Sequence, residues 1–149
     1  MLDLWLKSWA AANLAGEEGR VIIPGVLGLY YTRNTGAAFS MFANFDWARW
    51  FLTGVKIAIT IGLFLYYSRL PLENRFWWLR VPIILIIAGG IGNLYDRLVL
   101  GYVRDMFEFL FMNFAIFNLA DVFVVVGCFT GAFVILFVCK DAPFLSNTK

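Results

Sequence analysis

Asp105 and Asp121 are the side chains of this 149-residue chain whose type and placement best suit acid–base chemistry. Asp121 stands one turn inside an apolar stretch, 117–138, and shares a helix face with Asn118 three residues earlier. Asp105 lies just beyond the preceding apolar stretch, so a chain that folds back can bring the two carboxylates together. Adjacent carboxylates do not both ionise easily and share a proton. One then accepts a proton from water while the other gives one to a substrate. Charge placement alone favours a plainer reading, in which each carboxylate pairs with an Arg or Asn. Asn93, Asp96 and Arg97 occupy i, i+3 and i+4 and share another face. They read equally as polar glue between helices or as groups that orient a site, and Arg97 also suits a lipid head group. Gly89, Gly90 and Gly92 allow another helix to approach closely. Lys56 reads as a cation that snorkels or sits in the bundle. Glu108 reads as a solvated loop carboxylate, and Asn34-Thr35-Gly36 as a turn.

Composition removes most other chemistries. There are no histidines, which excludes Ser-His and Cys-His catalysis and imidazole metal sites. None of Ser8, Ser40, Ser68 and Ser146 sits in a GxSxG elbow. Cys128 and Cys139, if on one helix, stand about 16 Å apart, too far for a bridge. A net charge of +2 gives no argument for nucleic acid. No cofactor and no metal are expected.

The elements that must hold these residues are membrane elements. The chain is 62% hydrophobic and 15% charged, against about a quarter charged in a soluble domain. Apolar segments at 51–68, 81–97 and 117–138 suit transmembrane helices, a span needing about 20 residues. Residues 1–16 are apolar but short. Asp3 and Lys7 rule out a secretory signal there, leaving a partial first helix or an interfacial one. Arg69, Arg75 and Arg80 against Glu73 put the loop between the first two clear spans on the cytoplasmic side, as do Lys140 and Lys149 for the tail. Residues 17–50 and 98–116 then face outward. Val21–Tyr31, punctuated by Pro24, Gly25 and Gly28, predicts short strands or a hairpin. The aromatic run Phe107, Phe109, Phe111 and Phe114 predicts an interfacial outer helix. Trp47, Trp50, Trp77 and Trp78 fit an aromatic belt. The expected fold is mainly α: one polytopic membrane domain, a four-helix transmembrane bundle with a short first helix, a small extracytoplasmic β-sheet and the outer helix.

Four blocks in order carry a family pattern: Asn34-Thr35-Gly36-Ala37-Ala38-Phe39-Ser40, Gly89 to Leu98 (GGIGNLYDRL), Gly101 to Met106 (GYVRDM), and Phe117-Asn118-Leu119-Ala120-Asp121. Together they resemble signal peptidase II, the bacterial lipoprotein signal peptidase. Asp3 and Lys7 are similar to an Asp-x-x-x-Lys of that family's first helix, although only Met1 and Leu2 precede the Asp here. The resemblance implies a four-helix enzyme of the bacterial inner membrane with an outward-facing active site. It implies a catalytic pair at Asp105 and Asp121, supported by Asn34, Gly36, Asn93, Arg97, Asn118, Asp3 and Lys7. The implied substrate is a prolipoprotein bearing diacylglyceryl on its Cys, cut just before that Cys among membrane lipids. Sensitivity to the cyclic peptide globomycin is implied as well. Two other functions fit the acids less well: a small proton-coupled transporter relaying through Asp121, Asp96 and Lys56, and a divalent-ion site built from Asp96, Asp105, Glu108 and Asp121.

Overall fold

The computed structural model describes residues 1–35, 46–70 and 77–138, except for the side chains at 46–50 and 52. Gly36 and the tryptophan side chains at 47 and 50 therefore lie outside the described residues. In chain order the elements are α1 (Leu2–Asn13), β1 (Arg20–Ile23), β2 (Leu27–Asn34), α2 (Asp46–Arg69), α3 (Trp77–Leu100), β3 (Val103–Phe109) and α4 (Leu119–Phe133). A π-helical segment, Val134–Val138, prolongs α4.

The hairpin forms where Pro24 and Gly25 break the β-branched run. Gly25 takes a left-handed φ of 70°, and Val26 N–H donates to the Ile23 carbonyl at 3.0 Å. β2 then pairs antiparallel with β3, giving a three-stranded sheet in the order β1-β2-β3. The expected outer helix is not found over 103–109: of the phenylalanines that suggested it, Phe107 and Phe109 alternate along β3, and Phe111 and Phe114 lie beyond it. Two-residue alternation and partners from β2 favour a strand there over a helix. Gly101, at φ 80°, reverses the chain between α3 and β3. Glu108 is half-buried on β3, not a solvated loop residue.

α3 and α4 run antiparallel in close contact because glycines face backbone. A side chain at Gly89 would strike the Ala120 carbonyl, and one at Gly127 would come within 2.8 Å of the Pro82 carbonyl. Gly92 makes room for the Asp3 carboxylate, which a Cβ would approach to 2.7 Å. The three glycines of the sequence motif thus do admit neighbouring elements, Gly90 facing Thr60 of α2. α1 is 12 residues long, about 18 Å, and too short to span a hydrocarbon core of about 30 Å. Its Ala10 and Leu14 pack instead on Met106 of β3.

The distribution of side chains is inside out. The largest fully buried side chains include Lys7, Asn118, Asp96 and Asp105, whereas Phe64, Ile91, Phe129, Phe133 and Leu136 are exposed. Among the described residues two helices, Trp77–Leu100 and Leu119–Val138, are long and apolar enough to cross a membrane, and they expose most of their surface. A core helix of a soluble protein hides that surface; here it requires an apolar surrounding.

Replacing Gly127 by Ala should destabilise the detergent-solubilised protein by about 1–3 kcal/mol, because Pro82 and Ile86 must shift. Gly62→Ala, with open space around it, should be neutral or slightly stabilising in the same thermal-unfolding assay. Equal effects of the two changes would contradict the close α3–α4 packing.

Candidate active site

Asp105 and Asp121 reach one another through backbone pairing. The amide groups of Met106 and Phe107 both donate to the Phe117 carbonyl, and Phe117 N–H donates back to Phe107 at 3.0 Å. This bridge fixes the start of α4 beside β3, so Asn118 arrives next to Asp105. Asn118 is the N-cap of α4. Its side-chain oxygen accepts from Asp121 N–H at 3.0 Å, and the Asp121 Oδ2 accepts from Asn118 N–H at 3.2 Å. The reciprocal capping box holds Asp121 in the first turn of the helix, where the helix dipole favours negative charge.

Amide groups link the two carboxylates. Asn118 Nδ2 donates to Asp105 Oδ1 and also to Asn93 Oδ1 at 3.0 Å. Asn93 Nδ2 donates to Asp121 Oδ1 at 2.8 Å. Asn34 Nδ2, at the end of β2, donates to Asp105 Oδ2 at 2.9 Å. The orientation of Asn93 follows from Lys7, whose Nζ, a donor only, gives to Asn93 Oδ1 at 2.8 Å. Both carboxylates line one cavity of about 480 Å³, walled by Phe109, Phe114 and Phe117. Among the described residues, no cation pairs with either.

The cations are held elsewhere. Lys7 lies 2.8 Å from Asp3 Oδ2 and 3.7 Å from Asp96 Oδ2. Arg104 clasps Asp96 through Nη2 at 2.7 Å, Nε at 3.1 Å and its backbone N–H at 3.0 Å. Asp3 Oδ1 accepts from Ala120 N–H at 2.9 Å, which ties α1 to the first turn of α4. Burial pushes the Asp105 carboxyl up to about 6, with the Asp121 charge adding to the rise. Hydrogen bonds from Asn34 and Asn118, and the Lys7 charge, work the other way.

Eight of the nine residues singled out in the sequence are described, and Asn34, Asn93, Asn118, Asp105 and Asp121 form one hydrogen-bonded network. Lys7 joins it at Asn93, and Asp3 joins it through Lys7. Arg97 does not hydrogen-bond the carboxylates; its Nη1 donates to the Asn93 carbonyl at 3.2 Å. Asp96 belongs to the polar glue, not to the acid pair. Among the described residues no three acids converge as a divalent-ion site would need. Arg104 reads in the sequence as a cation among the outer acids and as part of the Gly101 to Met106 block, not as a site residue, although Asp96-Arg97 and Arg104-Asp105 flank a glycine turn in mirrored order. That symmetry was its available signal.

A fold of this kind is known from a solved bacterial membrane enzyme. It is 27% identical, with a TM-score of 0.78, over 92% of this chain and 86% of that one. The family model for signal peptidase (SPase) II matches residues 1–138, and the chain belongs to that family. A lipoprotein signal peptidase of Streptococcus thermophilus is 44% identical over 126 residues, covering 85% of this chain and 79% of its own. One from Latilactobacillus sakei is 40% identical over 125 residues, covering 84% and 80%.

The Asp105 shift has a stability consequence. The folded protein keeps this proton up to about pH 6, whereas the ordinary value is 3.8. The stabilising contribution of Asp105 is thus full below about pH 4 and lost as pH rises through about 6. Asp105→Asn should gain on the parent in thermal stability across that range, by about 3 kcal/mol in total. A gap that stays constant with pH would refute a charge-poor environment.

Proposed function

We infer that this chain is the membrane peptidase that removes signal peptides from prolipoproteins, and that it works by paired carboxylates. The observation that carries the reading is that two acids line one apolar cavity, share Asn118 between them through its side chain, and lack a cation partner among the described residues. Such a pair retains one proton more readily than either acid would alone. Asp121, in the first turn of α4, acts as the carboxylate that draws a proton from water. Asp105, raised to about 6, holds the other proton and gives it to the scissile carbonyl oxygen. The water oxygen bonds to the carbonyl carbon, the C–N bond breaks, and the leaving nitrogen takes up a proton. Asn34, Asn93 and Asn118 keep the two acids in register. Arg97 supports Asn93, and Asp3 and Lys7 act through it. We assign Gly36 to the same machinery on the family resemblance alone.

The substrate class is a prolipoprotein carrying diacylglyceryl on the Cys that follows the cut. Its lipid anchor confines it to the enzyme's own plane and supplies effective concentration, so little intrinsic affinity for the peptide is needed. The whole chain is one integral domain of the bacterial inner membrane. Its helices form the bundle, with α1 entering only part of the way, and the cationic loops support placing the sheet and acid pair on the extracytoplasmic side. Membrane lipids surround the exposed apolar faces, and globomycin inhibits. A transporter relay is not favoured, because Asp96 directs both oxygens to Arg104 and Lys7.

Purified protein in detergent should convert a diacylglyceryl prolipoprotein to the shorter form, seen as a gel shift that globomycin abolishes. Asp105→Asn and Asp121→Asn should each lower the rate by about a thousandfold or more while accumulating normally. Near-parental cleavage by either variant would overturn the assignment.

A further inference from the structure

Lys56 interrupts an otherwise apolar helix, and the cleavage scheme makes no use of it. Thr53, Lys56 and Thr60 fall at i, i+3 and i+7 and so form a polar stripe on one face of α2. All three line a cavity of about 240 Å³ whose opposite walls carry Arg97 of α3 and Asp121 of α4. Ile59, Ile86, Leu94 and Val124 supply much of the remaining surface. The larger aromatic cavity that holds Asp105 lies against the same two residues of α4, because Asp121 and Val125 line both. Asp121 is thus the partition between two compartments of opposite character. One contains two cations and the other contains none. Arg97 is engaged with the Asn93 carbonyl, whereas Lys56 makes no ion pair among the described residues.

Peptide hydrolysis creates charges where there were none. The amide and one water become a carboxylate on the upstream fragment and an ammonium on the downstream one. A new carboxylate beside Asp121, in apolar surroundings, is costly unless a cation meets it. We propose that the α-carboxylate of the released signal peptide is received in the smaller cavity with Lys56 as its counter-ion, while the lipid-bearing Cys leaves through the aromatic one. This assignment rests on the cleavage reading above. It makes Lys56 a product-binding residue and gives the substrate a direction across the acid pair.

The test uses two synthetic signal peptides that end at the residue before the Cys, one with a free carboxylate and one with a carboxamide. Each is assayed as an inhibitor of cleavage of lipidated prolipoprotein by the full chain, and for direct binding by thermal shift. The carboxylate should bind at least about tenfold more tightly than the amide to the parent. Lys56→Met should bring the ratio close to one, and Lys56→Arg should retain most of it. Equal binding of the two peptides to the parent overturns the proposal. So does a preference that survives Lys56→Met, which would leave Arg97 as the partner. If Lys56→Met does not accumulate, Lys56→Gln carries the same comparison. Failure of the parent to cut the lipidated substrate at all would instead strike the functional reading.

Discussion

Everything in the site depends on a buried quartet of charges that neutralises itself. Asp3 and Asp96 take up Lys7 and Arg104, at 2.8 Å for Asp3–Lys7 and 2.7 Å for Asp96–Arg104. Removing one member of such a set leaves an uncompensated charge, at a cost of about 3–5 kcal/mol. The quartet therefore holds α1, α3 and β3 together. It also withholds both cations from Asp105 and Asp121, leaving that pair to amides. Amides orient a carboxylate without cancelling its charge. A guanidinium in the same place would favour the ionised form of both acids.

The surroundings explain why this division is needed. Apolar side chains cover much of the described outer surface of α2, α3 and α4, while Asp3, Lys7, Asn93, Asp96, Asp105 and Asn118 have withdrawn inward. In such a setting the ordinary hydrophobic drive between helices is weak, so close contact and polar links take its place. The glycine contacts of α3 with α4 supply the first. The chain of donors from Lys7 through Asn93 to Asp121 supplies the second. Lys7 has no acceptor capacity, so Asn93 can present only its oxygen to it and must turn its nitrogen towards Asp121. One lysine thereby fixes the direction of the hydrogen bonds made by Asn93 and, through it, by Asn118.

The hairpin at 20–34 was legible because Pro24 and Gly25 punctuate a β-branched run; Asn118 and Asp121 were legible as sharing a helix face, but not as the capping box they form. The apolar spans at 81–97 and 117–138 were legible from composition, although α3 begins earlier, at Trp77. The segment after Asp105 was misread. The number of phenylalanines there fits an interfacial segment, but their spacing at 107, 109 and 111 fits a strand better than a helix, on which i and i+2 do not share a face, and the pairing partners lie far away in β2. The role of Arg104 was hidden for a related reason: its carboxylate is eight residues back, across a turn in which Gly101 takes φ 80°. Local periodicity cannot report a contact of that kind.

Strand geometry at β3 is what lets consecutive residues take opposite duties. Side chains along a strand point alternately to its two faces. Arg104 and Met106 therefore turn towards α1, where Arg104 also donates to Ser8 at 3.1 Å. Asp105, between them, turns towards Asn34, Asn118 and the aromatic cavity. On a helix the same residues would differ by about 100°, and a buried arginine next in sequence to Asp105 would lie within reach of it. The alternation keeps a guanidinium one residue away in sequence and a whole face away in space. A strand is thus the element that allows an acid to stay poorly neutralised beside a buried arginine.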